Sequence, residues 1–192
     1  MFKKRIKAYI IDVLLVTLIL TLLGLFIPNN PNIDTLNEEL SKVQTNYLNK
    51  DISYTNYFVQ TADIMKKLDQ NQIIYSILMA VVIIGYFVIW PYYHNGQTIG
   101  KKKQKIKVVK DNNEKVSLND LLLRNMIINN LGYLFIQLIV IFILPSESYY
   151  ITTTSLSFIQ FIIMITSFIM IDKRRDKKGI HDLIVKTKVV KE

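Results

Sequence analysis

"MFKKRIKAYIIDVLLVTLILTLLGLFIP", residues 1–28, decides the class of fold. Apart from Lys7 and Asp12, residues 6–27 are apolar almost throughout. That is about the 20 residues a helix needs to cross the hydrocarbon of a bilayer. Residues 73–93, 121–144 and 151–171 have the same length and character. Of the 192 residues, 51% are hydrophobic, and they come in blocks rather than at the spacing of a soluble core. The pattern predicts an all-α membrane protein: a four-helix transmembrane bundle. The first stretch is longer than the apolar region of a secretory signal, and "LGLFIPNN" has no small-x-small cleavage site, so it reads as a retained helix. The chain has no cysteine, which excludes disulfides and thiol chemistry.

The net charge of +9 is unevenly distributed. Lys3, Lys4, Arg5 and Lys7 precede or open the first stretch. Seven lysines lie between Lys101 and Lys115, and eight lysines and arginines follow Ile171. Residues 29–71 carry more acids than bases, and "PSESYY" carries no base. Positive residues mark the cytoplasmic side of short loops. Both termini and residues 94–118 are therefore expected in the cytoplasm of a cell-membrane protein, with residues 29–71 outside. The bases flank helices, so the partners expected for them are anionic lipid headgroups at the cytoplasmic face, not nucleic acid.

Within the outer segment, Ile33, Leu36, Leu40, Val43 and Tyr47 recur at helical spacing, as do Tyr54, Tyr57, Phe58, Met65 and Leu68. Two amphipathic extracytoplasmic helices are expected, the second running towards the helix at residue 73. On the other side, "QKIKVVK", "EKVSL" and "IVKTKVV" are rich in β-branched residues and bounded by turns. They predict one small cytoplasmic antiparallel β-sheet of three segments, with Gly96 and Gly100 supplying tight turns beside it.

Asp12 lies about 9 Å along its helix, where an ionised side chain costs roughly 3 kcal/mol to insert. "SLNDLLLRNMIINNLGY", residues 117–133, begins with a capped helix at Ser117 or Asn119 and places Arg124 one turn in. Comparable depth and opposite sign predict that Asp12 pairs with Arg124 first and Arg5 second, with Asp182 serving another cytoplasmic base. Asn129, Asn130, Gln137, Gln160 and Thr166 are further polar groups that need partners in lipid and read as glue between helices.

"YYHNGQTIGKKKQ", residues 92–104, is not a nucleotide loop. Three residues instead of four separate Gly96 from Gly100, and Lys102 follows Lys101 where a magnesium-binding hydroxyl is required. His94 and His181 are far apart, with no metal-ligand spacing. No catalytic residue, metal or cofactor is expected, and no enzyme activity.

Taken in order, Arg5 and Asp12, "GQTIGKKKQKIKVV", Arg124 and "KKGIHDLIVKTKVV" resemble the RDD family of multi-pass bacterial membrane proteins. The family is named for an arginine and two aspartates. The resemblance puts these at Arg5, Asp12 and Asp182, and its loop motif at Gly96, Thr98, Gly100 and Lys101. It covers the first helix and the chain from Tyr86 onward. Residues 1–192 then form a single domain of this type, with 29–71 an extracytoplasmic helical insertion. The resemblance implies a loose association with transport of unknown ligands. Two function classes fit. One is transport of an ion or small solute, with Asp12 holding a proton or a cation. Four helices leave little room for a pathway without a homo-oligomer, and the sequence shows neither an inverted repeat nor a broken helix. The other is a non-enzymatic membrane adaptor or regulator that binds a membrane-protein partner.

Overall fold

The computed structural model describes residues 1–28 and 30–192; Asn29, the first residue of the expected outer segment, lies outside the described residues. Helix α1 (Phe2–Gly24) buries Ala8, Asp12, Val16 and Leu20, one residue per turn, and exposes Leu14, Leu18 and Leu22. That single stripe suits a helix with protein on one side and lipid on the other.

Helices α2 (Pro31–Leu48) and α3 (Tyr54–Asn71) form the expected outer hairpin. The side chains of Asn30 and Ser53 cap them, and Leu36, Val43, Ile64 and Leu68 make their shared core. The hairpin docks on the bundle: the Tyr149 hydroxyl donates to Asp69 at 2.6 Å, and Lys66 Nζ donates to the Leu144 carbonyl at 2.7 Å. Gln72 alone separates α3 from α4 (Ile73–Ile84).

The second span continues through a π-helical segment, Gly85–Ile89, into α5 (Trp90–Tyr93). Pro91 explains the irregularity. It has no N–H for the Phe87 carbonyl four residues back, and its ring crowds that carbonyl. Asn125 Nδ2 supplies the missing donor at 2.9 Å, so a proline defect in one helix is satisfied by an amide from another.

Helix α6 (Ile99–Lys103) leads into strand β1 (Ile106–Lys110), which pairs antiparallel with the C-terminal strand β2 (Thr187–Lys191), Val108 opposite Val189. The sheet has two strands, not three. The Lys110 N–H bonds the Glu114 carbonyl at 3.0 Å and closes a turn. Val116 is then buried beneath the sheet, and Ser117 opens helix α7 (Leu118–Ile128) with a capping box to Asp120. In "EKVSL", Glu114 closes the turn, Val116 packs under the sheet and Ser117 caps α7, so the segment does not pair as a strand.

A second departure concerns residues 121–144. They do not form one straight span: α7 and α8 (Leu131–Ile143) meet at 76°. Asn130 sits in the left-handed region at φ 58°, which asparagine tolerates better than most residues. The interrupted helix finds a new partner: Gln160 Nε2 on α9 donates to the Ile127 carbonyl, and α8 restarts with the ordinary Leu134 N–H to Asn130 O bond. Gln137 likewise donates to Tyr149 across α8 and α9. Helix α9 (Ser146–Lys173) returns across the bundle, and α10 (Ile180–Ile184) precedes β2.

The break yields a test. Asn130→Gly should leave thermal stability in detergent within about 0.5 kcal/mol of the parent, whereas Asn130→Val should cost about 1–2 kcal/mol. Equal stability of the two variants would contradict a left-handed hinge there.

Candidate functional site

Two buried carboxyl groups organise the end of the bundle that carries the sheet. Asp12, on the inner stripe of α1, is 1% exposed. Its Oδ1 accepts from the Tyr86 hydroxyl at 2.6 Å and the Gly100 N–H at 2.7 Å; its Oδ2 accepts from the Thr98 hydroxyl at 2.5 Å. Thr98 also caps α6, its oxygen accepting the Lys101 N–H. No side chain fits at Gly100, because a Cβ there would run into the Ala8 carbonyl and the Asp12 carboxyl. Gly96 serves the sheet instead. It adopts φ 77°, and its carbonyl accepts the Val108 N–H at 3.1 Å. The loop motif therefore clips α6 onto α1 through Gly100 and Thr98, and onto β1 through Gly96.

Asp182, at the start of α10, is fully buried. Arg5 Nη2 reaches its Oδ2 at 2.6 Å and Arg124 Nη1 its Oδ1 at 2.5 Å; the Gly179 N–H adds a third donor at 3.0 Å. Burial opposes ionisation of this carboxyl, but Arg124 and Arg5 more than offset it and hold Asp182 below the usual carboxylate range. Arg5 also donates to the Lys177 carbonyl, and Arg124 to the Thr187 hydroxyl. One aspartate thus joins α1, α7 and α10.

The expected Asp12–Arg124 pair is not formed, and neither is Asp12–Arg5: both arginines go to Asp182. Depth was comparable, but the two side chains differ in direction. Asp12 faces the α6 loop and Tyr86, while Arg124 faces α10. Neutral donors meet Asp12, which is another way to hold a carboxylate out of water.

His181 is 1% exposed, with Nε2 3.2 Å from Arg5 Nη2 and Nδ1 3.0 Å from Ser167 Oγ. Arginine can only donate, so Nε2 accepts, and Nδ1 carries the proton towards Ser167. The sequence placed His181 only among possible metal ligands, which it rejected, and gave Tyr86 and Ser167 no site role. The adjacent pair His181–Asp182 within an otherwise apolar "GIHDLI" was the available signal for the first of them.

Between these junctions lies a cavity of about 70 Å³ lined by residues of α1, α6, α7, α9 and α10. Arg5, Asp12, Lys101, Arg124, Asn125 and Asn129 form its polar wall. The Lys101 ammonium makes no hydrogen bond or ion pair with any described residue. Burial, only partly offset by Asp12, pushes this amine down to about 8. Among the described residues no group of His, Cys, Asp or Glu side chains could hold a metal.

Burial, aided by Arg124, Arg5 and Lys101 and opposed by Asp182, holds His181 down to about 3. In the unfolded chain it titrates near 6.5. The unfolded state therefore binds more protons between those values, and stability falls as pH drops through that window. Between pH 7 and 5 this group should cost on the order of 2 kcal/mol. His181→Asn should flatten the pH dependence of thermal unfolding over that range; an unchanged slope would show that His181 is not held neutral.

No curated protein and no solved structure matches the chain. The RDD family model matches residues 1–186, which takes in both aspartate junctions, the loop motif and the outer hairpin. With its apolar spans and these motif residues in place, the chain belongs to the RDD family, a family of multi-pass membrane proteins.

Proposed function

We propose that the protein transports an ion or small solute across the cell membrane and that the cavity between α1 and the α7–α9–α10 group is its site. The observation that carries this reading is a polar cavity, with an unpaired lysine, placed against Asn125 and Asn129 at the mouth of a broken span. Discontinuous helices supply binding sites in many secondary transporters because the break exposes backbone and polar side chains at membrane depth. Asp12 acts here by positioning the Thr98–Lys101 loop, since three donors already occupy it.

The sheet end is the cytoplasmic side in this reading, because the lysines of residues 101–115 and the basic tail gather there. With no native cysteine, single-cysteine labelling tests this directly. Lys50→Cys should react with an impermeant maleimide in intact cells, and Asn112→Cys only after permeabilisation; the reverse pattern would invert the protein.

Transport is tested in proteoliposomes loaded with a pH dye and given sodium, potassium or phosphate gradients. Tyr9 on α1 and Phe168 on α9 face each other edge-on, with ring centroids 6.2 Å apart. Joining cysteines at these two positions with a bifunctional thiol reagent should abolish a protein-dependent flux. Flux that survives the cross-link, or no flux in any gradient, would count against transport. The second outcome would favour an adaptor held through the outer hairpin.

A further inference from the structure

Lys101 is the charged group of the cavity that the fold does not use. Asp182 is taken by Arg5 and Arg124, and Asp12 by three neutral donors. Arg124 is also incompletely used: its hydrogen bonds to described residues all run through Nη1, to Asp182 and Thr187. The one fully enclosed side-chain polar atom without a partner, among the described residues, is Thr61 Oγ1, far away in the outer hairpin. The spare nitrogens of Lys101 and Arg124 therefore keep open surface, and both residues line the cavity. Several donors converging on a small space suit an acceptor with several oxygens better than a monatomic ion. The volume holds a few waters or one group of that size.

His181 also lines it, with both ring nitrogens engaged by Arg5 and Ser167; apart from the Tyr9 hydroxyl, the rest of the lining is apolar. Phe2, Ile6 and Tyr9 of α1 and Phe168 of α9 are all partly exposed, on helices whose outer faces meet lipid. A cationic floor with an apolar wall fits a ligand that is anionic at one end and greasy at the other.

We propose that the cavity binds a phosphate group, seated on Lys101 Nζ and the Nε–Nη2 edge of Arg124, and that the apolar wall admits this phosphate as the headgroup of an anionic lipid. The inference rests on the cavity being a ligand site, as in the transport reading, but not on translocation. The charge environment agrees with it. Asp12 and Arg5 from α1, Arg124 from α7, and Asp182 with neutral His181 from α10 surround the amine, and burial leaves Lys101 protonated at neutral pH but not far above it. Binding should therefore weaken as pH rises through about 8.

The test follows thermal unfolding of the full chain in neutral detergent by the fluorescence of its one tryptophan, Trp90. The titrants are phosphatidylglycerol, diacylglycerol with the same chains, and inorganic phosphate. A ligand that binds only the folded state raises its stability by mass action, which yields an apparent Kd. Phosphatidylglycerol should stabilise and diacylglycerol should not. Lys101→Gln should weaken the apparent affinity about tenfold or more, the loss expected for one charge-assisted hydrogen bond. Lys103→Gln, on the exposed face of the same short helix, should leave it unchanged. Without ligand, Lys101→Gln should unfold no earlier than the parent, because the ammonium has no partner to lose and its burial opposes its charge. Stabilisation by inorganic phosphate alone, again lost in Lys101→Gln, would keep the phosphate site and overturn the lipid as its source. Equal stabilisation of parent and Lys101→Gln, or none by either phosphate source, would overturn the site. Binding without flux would sink transport and leave this inference standing; flux without stabilisation by either phosphate source would do the opposite.

Discussion

A carboxylate held inside a helical bundle must have its oxygens met by donors, because no water is there to meet them. The sheet end of this protein satisfies that constraint twice, by different chemistry. Asp12 is met by two hydroxyls and a backbone N–H, Asp182 by two guanidinium groups and a backbone N–H. Each solution joins three pieces of chain that are distant in sequence. Asp12 gathers α1, the π-helical segment and α6; Asp182 gathers α1, α7 and α10. Arg5 and Asp12 lie seven residues apart on α1, two turns along nearly one face. The helix is thus the post to which both halves of the sheet end are tied.

The cavity follows from this arrangement. The two junctions hold α1 against α6 on one side and against α10 on the other, and the space between them is bounded by groups already committed to structure. Lys101 is brought there because Thr98 and Gly100, its neighbours in the loop motif, are clamped to Asp12. Stabilising the loop and presenting the lysine are the same event. An unpaired, partly buried ammonium disfavours the folded state, and such groups are found where a ligand supplies the missing partner.

Much of this was legible in the sequence, and the gaps have physical causes. Apolar blocks of bilayer length marked the spans, and helical spacing marked the outer hairpin whose core is Leu36, Val43, Ile64 and Leu68. Ser117 and Asp120 announced the start of α7, and β-branched runs marked both strands. Arg5, Asp12, Arg124, Asp182 and the loop glycines were identified as important, but their pairing was not. Depth along a helix can be counted from sequence, whereas the direction a side chain faces depends on how the helices pack. The same limit hid the bend at Asn129–Asn130. An asparagine pair between apolar runs reads as part of a span, and the donor from Gln160 to the Ile127 carbonyl that offsets the break comes from another helix. The third strand failed for a local reason: Glu114 closes the turn after β1 and Ser117 caps α7, which leaves too few residues between them to pair.

Two double-mutant cycles on thermal or denaturant unfolding in detergent show whether Arg124 serves Asp182 while neutral donors hold Asp12. One pairs Asp182→Asn with Arg124→Gln, the other Asp12→Asn with Arg124→Gln. A directly bonded, buried pair should show a coupling of about 1–3 kcal/mol, and groups without a shared bond less than about 0.5 kcal/mol. Strong coupling is expected for Asp182 with Arg124 and near-additivity for Asp12 with Arg124. Stronger coupling at Asp12 than at Asp182 would contradict it.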